Sequence, residues 1–254
     1  MQLFITDYTK NNSRLIINDA ELLSQLRKVL RATIGDIVWV QSPVHETKNV
    51  RYEVRIEKWD NKMIEGSIVS ELSHKEDQKK SIMLVAMPNK WDKAELIVQK
   101  LTECWLDQII FWPSERSVIK ERNSKKEERL AKIIKEAVEQ SRGWKLPEVV
   151  FTNDVTKYIE DAEVIVFDRK PTPPQPSPLH GEGAVKNIPL STEWRGVRGE
   201  VTTITGVVGP EGWLTEKDYK MFESYAPKIV GLGETVLRME TAAIVGGRLI
   251  RNDK

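Results

Sequence analysis

The sequence has very little cysteine and histidine. Cys104 is its single cysteine, so no disulfide can form within the chain, and 3 histidines leave too few ligands for a structural zinc cluster. No uncharged run approaches the roughly 18–20 residues of a membrane span. The first residues, MQLFITDYTKNN, lack the basic start and apolar stretch of a signal peptide. These absences predict a cytoplasmic protein with no metal and no membrane partner.

The sequence also lacks a strong excess of charge of either sign. It has 39 Lys and Arg against 38 Asp and Glu, and 40% of its 254 residues are hydrophobic. This composition excludes a disordered chain and a uniformly cationic nucleic-acid binder. Positive charge nevertheless gathers locally, with five cations against two acids in residues 10–31 and eight against four in residues 114–135. A local RNA-binding surface is therefore permitted.

Residues 1–72 are dominated by short, β-branched, partly alternating segments, which predict strands. The predicted strands are Leu3–Ile5, Leu15–Ile17, Ile37–Val40, Tyr52–Ile56 and Met63–Val69. Asp19 is placed to cap a helix over Ala20–Leu30, with Leu22, Leu23, Leu26, Val29 and Leu30 on one face. Short strands around one helix predict a small β-barrel. Residues 73–80, which contain no apolar side chain, are the predicted linker.

From residue 81 onward, predicted strands alternate with helices; the strands are Ser81–Met87, Gln108–Trp112, Val149–Phe151, Val164–Phe167 and Thr203–Val208. This alternation is typical of an α/β domain with a mainly parallel sheet, here over residues 81–254. One helix is predicted over Asp92–Trp105, with Leu96, Ile97, Lys100, Leu101 and Cys104 on one face. Residues 170–199 hold 6 of the 12 prolines and predict a flexible insertion. A Pro-rich ligand for a partner domain is the alternative for that segment.

Two glycine-bounded turns are the candidates for chemistry. A strand ending at Val208 runs into Gly-Pro-Glu-Gly at 209–212, and Thr215 is placed to cap the next helix. A second strand, Ile229-Val230, leads into the glycine-bounded turn that begins at Gly231. Ligands of open α/β sheets bind at the carboxyl ends of strands. Taken alone, a strand-to-helix turn with two glycines is a plain tight turn more often than a site, and the turn at 209–212 contains no dinucleotide or P-loop glycine motif.

The two turns together resemble one family. GPEG followed by LGxxVLRxETA near the C-terminus is similar to the RsmE family, bacterial methyltransferases of small-subunit ribosomal RNA in the SPOUT superfamily. Further landmarks of the family follow in order: Lys28–Arg31 (KVLR), Gln99–Glu103, Ser114–Ser117, and Glu139–Ser141 with Pro147. The resemblance covers nearly the whole chain outside 170–199.

This resemblance implies a fold and a reaction. The expected fold is an α/β domain with a deep C-terminal trefoil knot, preceded by a PUA-like RNA-binding barrel, in a homodimer. The expected reaction transfers a methyl group from S-adenosyl-L-methionine to N3 of one uridine in 16S (small-subunit) ribosomal RNA. The residues matching the family's cofactor loops are Val208, Gly209, Pro210, Glu211, Gly212, Gly231, Leu232, Gly233, Val236, Leu237 and Met239.

Catalytic and RNA-binding roles are also implied. Arg238 is the candidate cation for stabilising a developing uracil anion, or for fixing a phosphate of the target. Glu211 is a candidate orienter or proton acceptor, and equally a candidate carboxylate for stabilising its loop. The candidate RNA contacts are Arg27, Lys28, Arg31, Arg116 and Gln140. Such contacts to phosphates give affinity without sequence information.

The chain departs from the family pattern at two glycines. Trp213 stands in place of the last glycine of GPEGG, and Trp105 stands in place of the glycine of a family ELGV segment. If such a position requires φ > 0, a bulky side chain there is costly. The alternative interpretation is therefore an RNA-binding protein of the same fold in which catalysis is weakened or absent.

Overall fold

The computed structural model describes residues 2–43, 49–75, 77–117, 124–168 and 202–252. Within these ranges the strands are β1 Leu3–Ile5, β2 Thr9–Asn11, β3 Arg14–Ile17, β4 Ile37–Gln41, β5 Val50–Trp59, β6 Ile64–Ser73, β7 Lys80–Ala86, β8 Gln108–Trp112, β9 Glu148–Phe151, β10 Glu163–Phe167, β11 Thr203–Val208 and β12 Lys228–Val230. The helices are α1 Ala20–Gln25, α2 Trp91–Glu103, α3 Ser124–Ser141, α4 Glu216–Glu223 and α5 Met239–Asn252. The predicted insertion at 170–199 lies outside the described residues.

The chain divides into two compact units. The first unit is Met1–Glu76 with Lys135–Leu146, and the second is Asp77–Ile134 with Pro147–Lys254. Residues 135–146, which were predicted as part of the α/β domain, belong instead with the first unit. A hydrogen bond between residues distant in the chain links this segment to β1: the backbone N–H of Ile5 donates to Glu139 Oε1 at 2.9 Å. Such contacts join residues far apart in the chain, so local sequence patterns do not reveal them.

The first unit is built on a six-stranded sheet in the order β1-β4-β5-β6-β3-β2. The β1–β4 pair is parallel and the other pairs are antiparallel. The five predicted strands are confirmed. The strand β2 was missed because Thr9–Asn11 is exposed throughout and shows no apolar alternation.

The helical stretch predicted over Ala20–Leu30 is confirmed in its bounds, but its second half is π-helical. Asp19 Oδ1 accepts hydrogen bonds from the backbone N–H groups of Glu21 and Leu22 at 2.9 and 3.0 Å, so the predicted cap is confirmed. A π-helical turn over Leu26–Leu30 replaces the last α-helical turns. Its wider spacing rotates the side chains that follow, leaving Val29 71% and Leu30 38% exposed. The prediction that these two share the buried face is wrong.

The buried side chain of Arg51 links residues 142–144 to the sheet of the first unit. Arg51 on β5 is 3% exposed. Its guanidinium donates to Gln41 Oε1 at 3.0 Å and to the Gly143 carbonyl at 2.8 Å, and its Cζ lies 4.0 Å from the ring centroid of Trp144. Burial, with the nearby charge of Arg142, lowers the pKa of Arg51 to about 10.

The second unit contains a fully parallel six-stranded sheet. Its strand order is β12-β10-β11-β7-β8-β9, and every adjacent pair is parallel. The α/β prediction for this part of the chain is confirmed. The helix α5 packs on β7, β11 and α2. No described helix is both long and apolar enough to span a bilayer.

The buried face of α2 differs from the predicted one. Ile97 and Leu101 are fully buried, as predicted, but Leu96 is 39% exposed and Cys104 is only partly buried. The side of α2 that faces inward carries Ala94, Ile97, Val98, Leu101 and Thr102. The predicted face was rotated because it included Leu96 and Lys100 and left out the small Ala94.

Candidate functional site

A cavity of about 420 Å³ lies in the second unit, where β10 and β11 end and α5 begins. Each bordering segment follows a strand or precedes a helix, as expected at the carboxyl edge of a parallel sheet. The lining residues are Lys93, Phe167, Asp168, Val208, Gly209, Pro210, Glu211, Trp213, Leu214, Val236, Leu237, Arg238, Met239 and Ala242. The two glycine-bounded turns singled out in the sequence therefore border one cavity.

The loop after β11 is held in shape at both ends. A Cβ on Gly209 would lie 2.9 Å from Leu214 Cγ and 3.0 Å from Leu214 N, so only glycine allows this close approach. On the far side, Thr215 caps α4 in a reciprocal capping box with Asp218. The predicted start of α4 is confirmed. Arg116 donates a hydrogen bond to the Gly212 carbonyl from outside the cavity.

Trp213 and Trp105, which the resemblance places at glycine positions of the family, both adopt the left-handed backbone conformation. Trp213 has φ +68° and Trp105 has φ +65°. The Trp213 N–H donates to the Pro210 carbonyl at 2.9 Å, and the Trp105 N–H donates to the Thr102 carbonyl at 2.9 Å. The loops thus keep a conformation that suits glycine, although a bulky side chain occupies each position. Trp213 lines the cavity, whereas Trp105 does not.

A lysine joins two carboxylates at the cavity wall. Lys93 Nζ on α2 lies 2.6 Å from Glu211 Oε1 and 3.7 Å from Glu240 Oε2 on α5. Burial acts to raise the pKa of Glu211, but hydrogen bonds from Lys93 and from the Asn89 backbone N–H outweigh it and leave that pKa below its ordinary value. Glu211 is therefore held ionised and oriented toward Lys93, an arrangement that suits loop stabilisation.

A second carboxylate faces the cavity from the end of β10. Asp168 accepts a hydrogen bond from the Tyr219 hydroxyl on α4. Burial and then this bond raise the pKa of Tyr219, so its hydroxyl remains a donor. The neighbouring Phe167 packs against α5, where a Cβ on Gly246 would lie 2.6 Å from the Phe167 ring.

Arg238 is placed at the start of α5. Its backbone carbonyl accepts the first helical bond, from the Ala242 N–H at 2.8 Å. The residue is exposed to solvent, and it also lines the cavity. The structure thus brings both candidate catalytic residues, Arg238 and Glu211, to the same cavity.

The structure divides the predicted cofactor residues into two groups. Val208, Gly209, Pro210, Glu211, Val236, Leu237 and Met239 line the cavity; Gly212, Gly231, Leu232 and Gly233 do not. Lining residues that were not singled out as candidates are Lys93, Phe167, Asp168, Trp213, Leu214 and Ala242. The strand-end rule would have found Asp168, because it directly follows a predicted strand. No sequence signal marks Lys93, which lies in the first turns of a helix.

The predicted RNA contacts lie in both units. Arg27 donates to Asn61 Oδ1 at 2.7 Å and lies 5.1 Å from the Trp59 ring centroid, so it also supports the β5–β6 turn. Lys28, Arg31 and Gln140 are exposed in the same unit, and Arg116 is exposed in the second.

Two other cations of the 10–31 cluster are neutralised. Lys10 Nζ lies 3.3 Å from Glu71 Oε2, and Arg14 Nη1 lies 2.5 Å from Glu65 Oε1. Counting charges along the sequence overstated this cluster, because β5 and β6 supply the facing acids.

A second, more open cavity of about 620 Å³ lies beside the loop that carries Trp213. Its lining residues are Glu115, Arg116, Thr215, Glu216, Lys217 and Lys220. Lys220 Nζ lies 3.5 Å from Glu216 Oε1, and both side chains are largely exposed. Three of the six lining side chains are cationic, so this cavity could accept an anion.

The chain resembles known RNA methyltransferases in sequence and in structure. Residues 75–250 match the family model described as an RNA methyltransferase domain. Ribosomal RNA small subunit methyltransferase E of Bacillus subtilis is 32% identical over 158 residues, an alignment that covers 61% of this chain and 59% of that protein.

Two solved structures share the fold over nearly the whole chain. The first is a ribosomal RNA small subunit methyltransferase E of Neisseria gonorrhoeae bound to S-adenosyl methionine. Its TM-score is 0.76 at 18% identity, with 99% of this chain and 97% of that chain covered. The second is a methyltransferase candidate of Legionella pneumophila with bound SAM. Its TM-score is 0.71 at 20% identity, with 99% and 96% covered.

Proposed function

The chain belongs to the RNA methyltransferase domain family, and we propose that it methylates N3 of a specific uridine in small-subunit ribosomal RNA with S-adenosyl-L-methionine as methyl donor. One observation carries the proposal: the two family turns, 208–214 and 236–239, border a single cavity at the carboxyl edge of a parallel sheet. The Bacillus subtilis relative supports the choice of substrate class.

The cavity fits the proposed donor. Its volume of about 420 Å³ falls in the range of roughly 300–1,000 Å³ that is usual for small-ligand sites. Val208, Leu214 and Met239 offer apolar surface for an adenosine, while Asp168 places a carboxylate at the cavity that would favour a sulfonium. When bound, S-adenosyl-L-methionine supplies an activated methyl group on a sulfonium sulfur. The predicted cofactor residues that line the cavity, 208–211 with Val236, Leu237 and Met239, would hold it.

The residues of this chain would act mainly on the uridine. Transfer forms the N3–methyl bond and breaks the methyl–sulfur bond, so that S-adenosyl-L-homocysteine leaves, and the N3 proton passes to solvent water. Arg238 would stabilise the negative charge that develops on the uracil as this proton leaves. Glu211, which is held by Lys93 at 2.6 Å, would keep the loop after β11 in position. Alignment of the reacting atoms supplies the rest of the rate enhancement.

Several finer features belong to the same proposal. The first unit, with its six-stranded sheet, would serve as a PUA-like RNA-binding barrel, with Lys28 and Arg31 contacting phosphates. The second unit would carry the deep trefoil knot of the SPOUT fold. The enzyme would act as a homodimer in the cytoplasm. The exposure of Lys28 and Arg31 supports the first of these features.

A non-catalytic RNA-binding protein is the second candidate, because Trp213 has φ +68° in the loop after β11. Under that hypothesis the tryptophan would spoil the loop for the methyl donor. The geometry favours catalysis instead, since Trp213 keeps the left-handed conformation and its N–H still bonds to the Pro210 carbonyl at 2.9 Å.

Calorimetric titration with S-adenosyl-L-methionine distinguishes the two candidates. The purified full chain should bind one donor molecule per cavity. Ala242→Trp should abolish the heat of binding because Ala242 lines the cavity, whereas Thr241→Trp, at an exposed position next to it, should not. Absence of binding by the unmodified protein would favour the non-catalytic candidate.

A further inference from the structure

We propose that the indole of Trp213 is the surface on which the target base of the RNA stacks. The inference rests on the proposed function, because it assigns the substrate side of the same cavity. Trp213 lines that cavity, and so do Arg238 and Glu211.

The backbone of Trp213 supplies the first observation. Bulky residues rarely adopt positive φ, and such conformations cluster where ligands are clamped. Trp213 holds φ +68° and is one of the residues that line the cavity. Trp105 has φ +65° but lies outside the cavity. The conformation alone therefore assigns nothing, and it is the combination with the cavity that distinguishes Trp213.

The second observation is a group of cations beside the same loop. The segment 209–217 lines the 420 Å³ cavity with its first half and the 620 Å³ cavity with its second half. Arg116, Lys217 and Lys220 line the second cavity, where the acids are Glu115 and Glu216. Arg116 also bonds to the carbonyl of Gly212, which immediately precedes Trp213.

An aromatic ring next to a group of cations is the pattern that binds single-stranded nucleic acid. A single-stranded segment of RNA that crosses the loop would place one base against Trp213 and the adjoining phosphates near Arg116, Lys217 and Lys220. An extruded nucleotide is required in any case, since N3 of a paired uridine is not accessible. Stacking uses only the face of the uracil ring and leaves its N3 edge free for Arg238.

The test compares three variants of the full chain. Trp213→Gly removes the ring and suits the backbone, Trp213→Phe retains a smaller ring, and Trp105→Gly relieves the same backbone conformation outside the cavity. Filter binding measures the Kd for small-subunit RNA, and calorimetry measures the Kd for S-adenosyl-L-methionine. We expect Trp213→Gly to weaken RNA binding by about 5- to 100-fold, with donor affinity changed by less than about threefold.

The remaining variants and salt complete the test. Trp213→Phe should retain most of the RNA affinity, and Trp105→Gly should retain all of it. The loss of RNA affinity in Trp213→Gly should be the same at low and high salt, because stacking releases no counterions. Arg116→Ala, in contrast, should reduce the salt dependence of RNA binding. Equal RNA affinity in Trp213→Gly and the unmodified protein would overturn the inference, and so would an equal loss in Trp105→Gly. If the unmodified protein transfers no methyl group, the proposed function fails instead.

Discussion

Lys93 Nζ lies 2.6 Å from Glu211 Oε1, and this ion pair joins helix α2 to the loop after β11. The same ammonium lies 3.7 Å from Glu240 Oε2, a buried atom with no hydrogen-bond partner among the residues that the structure describes. One lysine thus holds carboxylates from the two segments that border the cavity. Removing it would leave two partly buried negative charges close together.

Lys93→Met should weaken binding of S-adenosyl-L-methionine by about tenfold, because the loop after β11 loses its anchor. Lys100→Met is the matched control, since Lys100 pairs with Glu103 at 2.8 Å on the same helix but outside the cavity. Calorimetry of both variants measures the difference. Equal donor affinity in Lys93→Met and Lys100→Met would show that the ion pair does not position the loop.

The pH dependence of stability should change in the same variant. Glu211 has a lowered pKa in the folded chain, so its stabilising contribution is present above the unfolded value of about 4.3 and is lost as the pH falls through the folded value. Without Lys93 the largest interaction that lowers this pKa is gone, so the folded and unfolded pKa values move closer and less stability should be lost as the pH falls. Urea unfolding from acid to neutral pH measures this, and superimposable profiles for the two proteins would contradict it.

Arg238→Ala should lower kcat for methyl transfer by about 100-fold or more, because a cation opposite the developing uracil charge is removed. The fold should be unaffected, since Arg238 is exposed and contributes its backbone carbonyl to the start of α5. Arg248→Ala removes an exposed cation from the same helix outside the cavity and should retain full activity. Single-turnover transfer with a melting curve measures both; unchanged turnover in Arg238→Ala would remove this residue from the chemistry.

Gly246→Ala should destabilise the protein by about 1–3 kcal/mol, because overpacking a tight core forces side chains from their rotamers. The added Cβ would lie 2.6 Å from the Phe167 ring, which also lines the cavity, so donor affinity should fall as well. Thr241→Ala, exposed on the same helix, should change stability by less than about 0.5 kcal/mol. Chemical denaturation measures the free energy of unfolding of both variants. An unchanged value in Gly246→Ala would mean that the Phe167 ring has room to move.

Arg51→Lys should destabilise the first unit by about 2–3 kcal/mol, because an ammonium cannot reproduce the guanidinium bonds to Gln41 and the Gly143 carbonyl in a buried site. Arg55→Lys, at an exposed position of the same strand, should be nearly neutral. Equal unfolding free energies for the two variants would contradict this account of the 142–144 segment.

The strands of the second unit could be predicted because each is a short apolar run between polar turns. The strand β11, Thr203–Val208, was predicted with its observed bounds. What failed were features that depend on distant parts of the chain or on irregular backbone. The sequence of the π-helical turn has a regular apolar pattern that predicted burial of Val29, but the irregular backbone leaves this side chain exposed. The inclusion of 135–146 in the first unit depends on contacts across some 90 residues or more.

The candidate site was predictable to the extent that it lies on loops with a sequence signature. The turns at 208–211 and 236–239 line the cavity. Lys93 was missed because a charged residue early in a helix looks like any solvated position. The sequence raised positive φ at Trp213 only as a condition, and the structure shows both the φ of +68° and the place of this residue in the cavity lining.

Methyl transfer to small-subunit RNA tests the central claim most directly. The purified protein would be incubated with tritium-labelled S-adenosyl-L-methionine and with small-subunit RNA, free and in assembled subunits, followed by nucleoside analysis. The account predicts radioactive 3-methyluridine at one site, with no product from Arg238→Ala. Label in another nucleoside, or donor binding without any transfer to either RNA substrate, would contradict it.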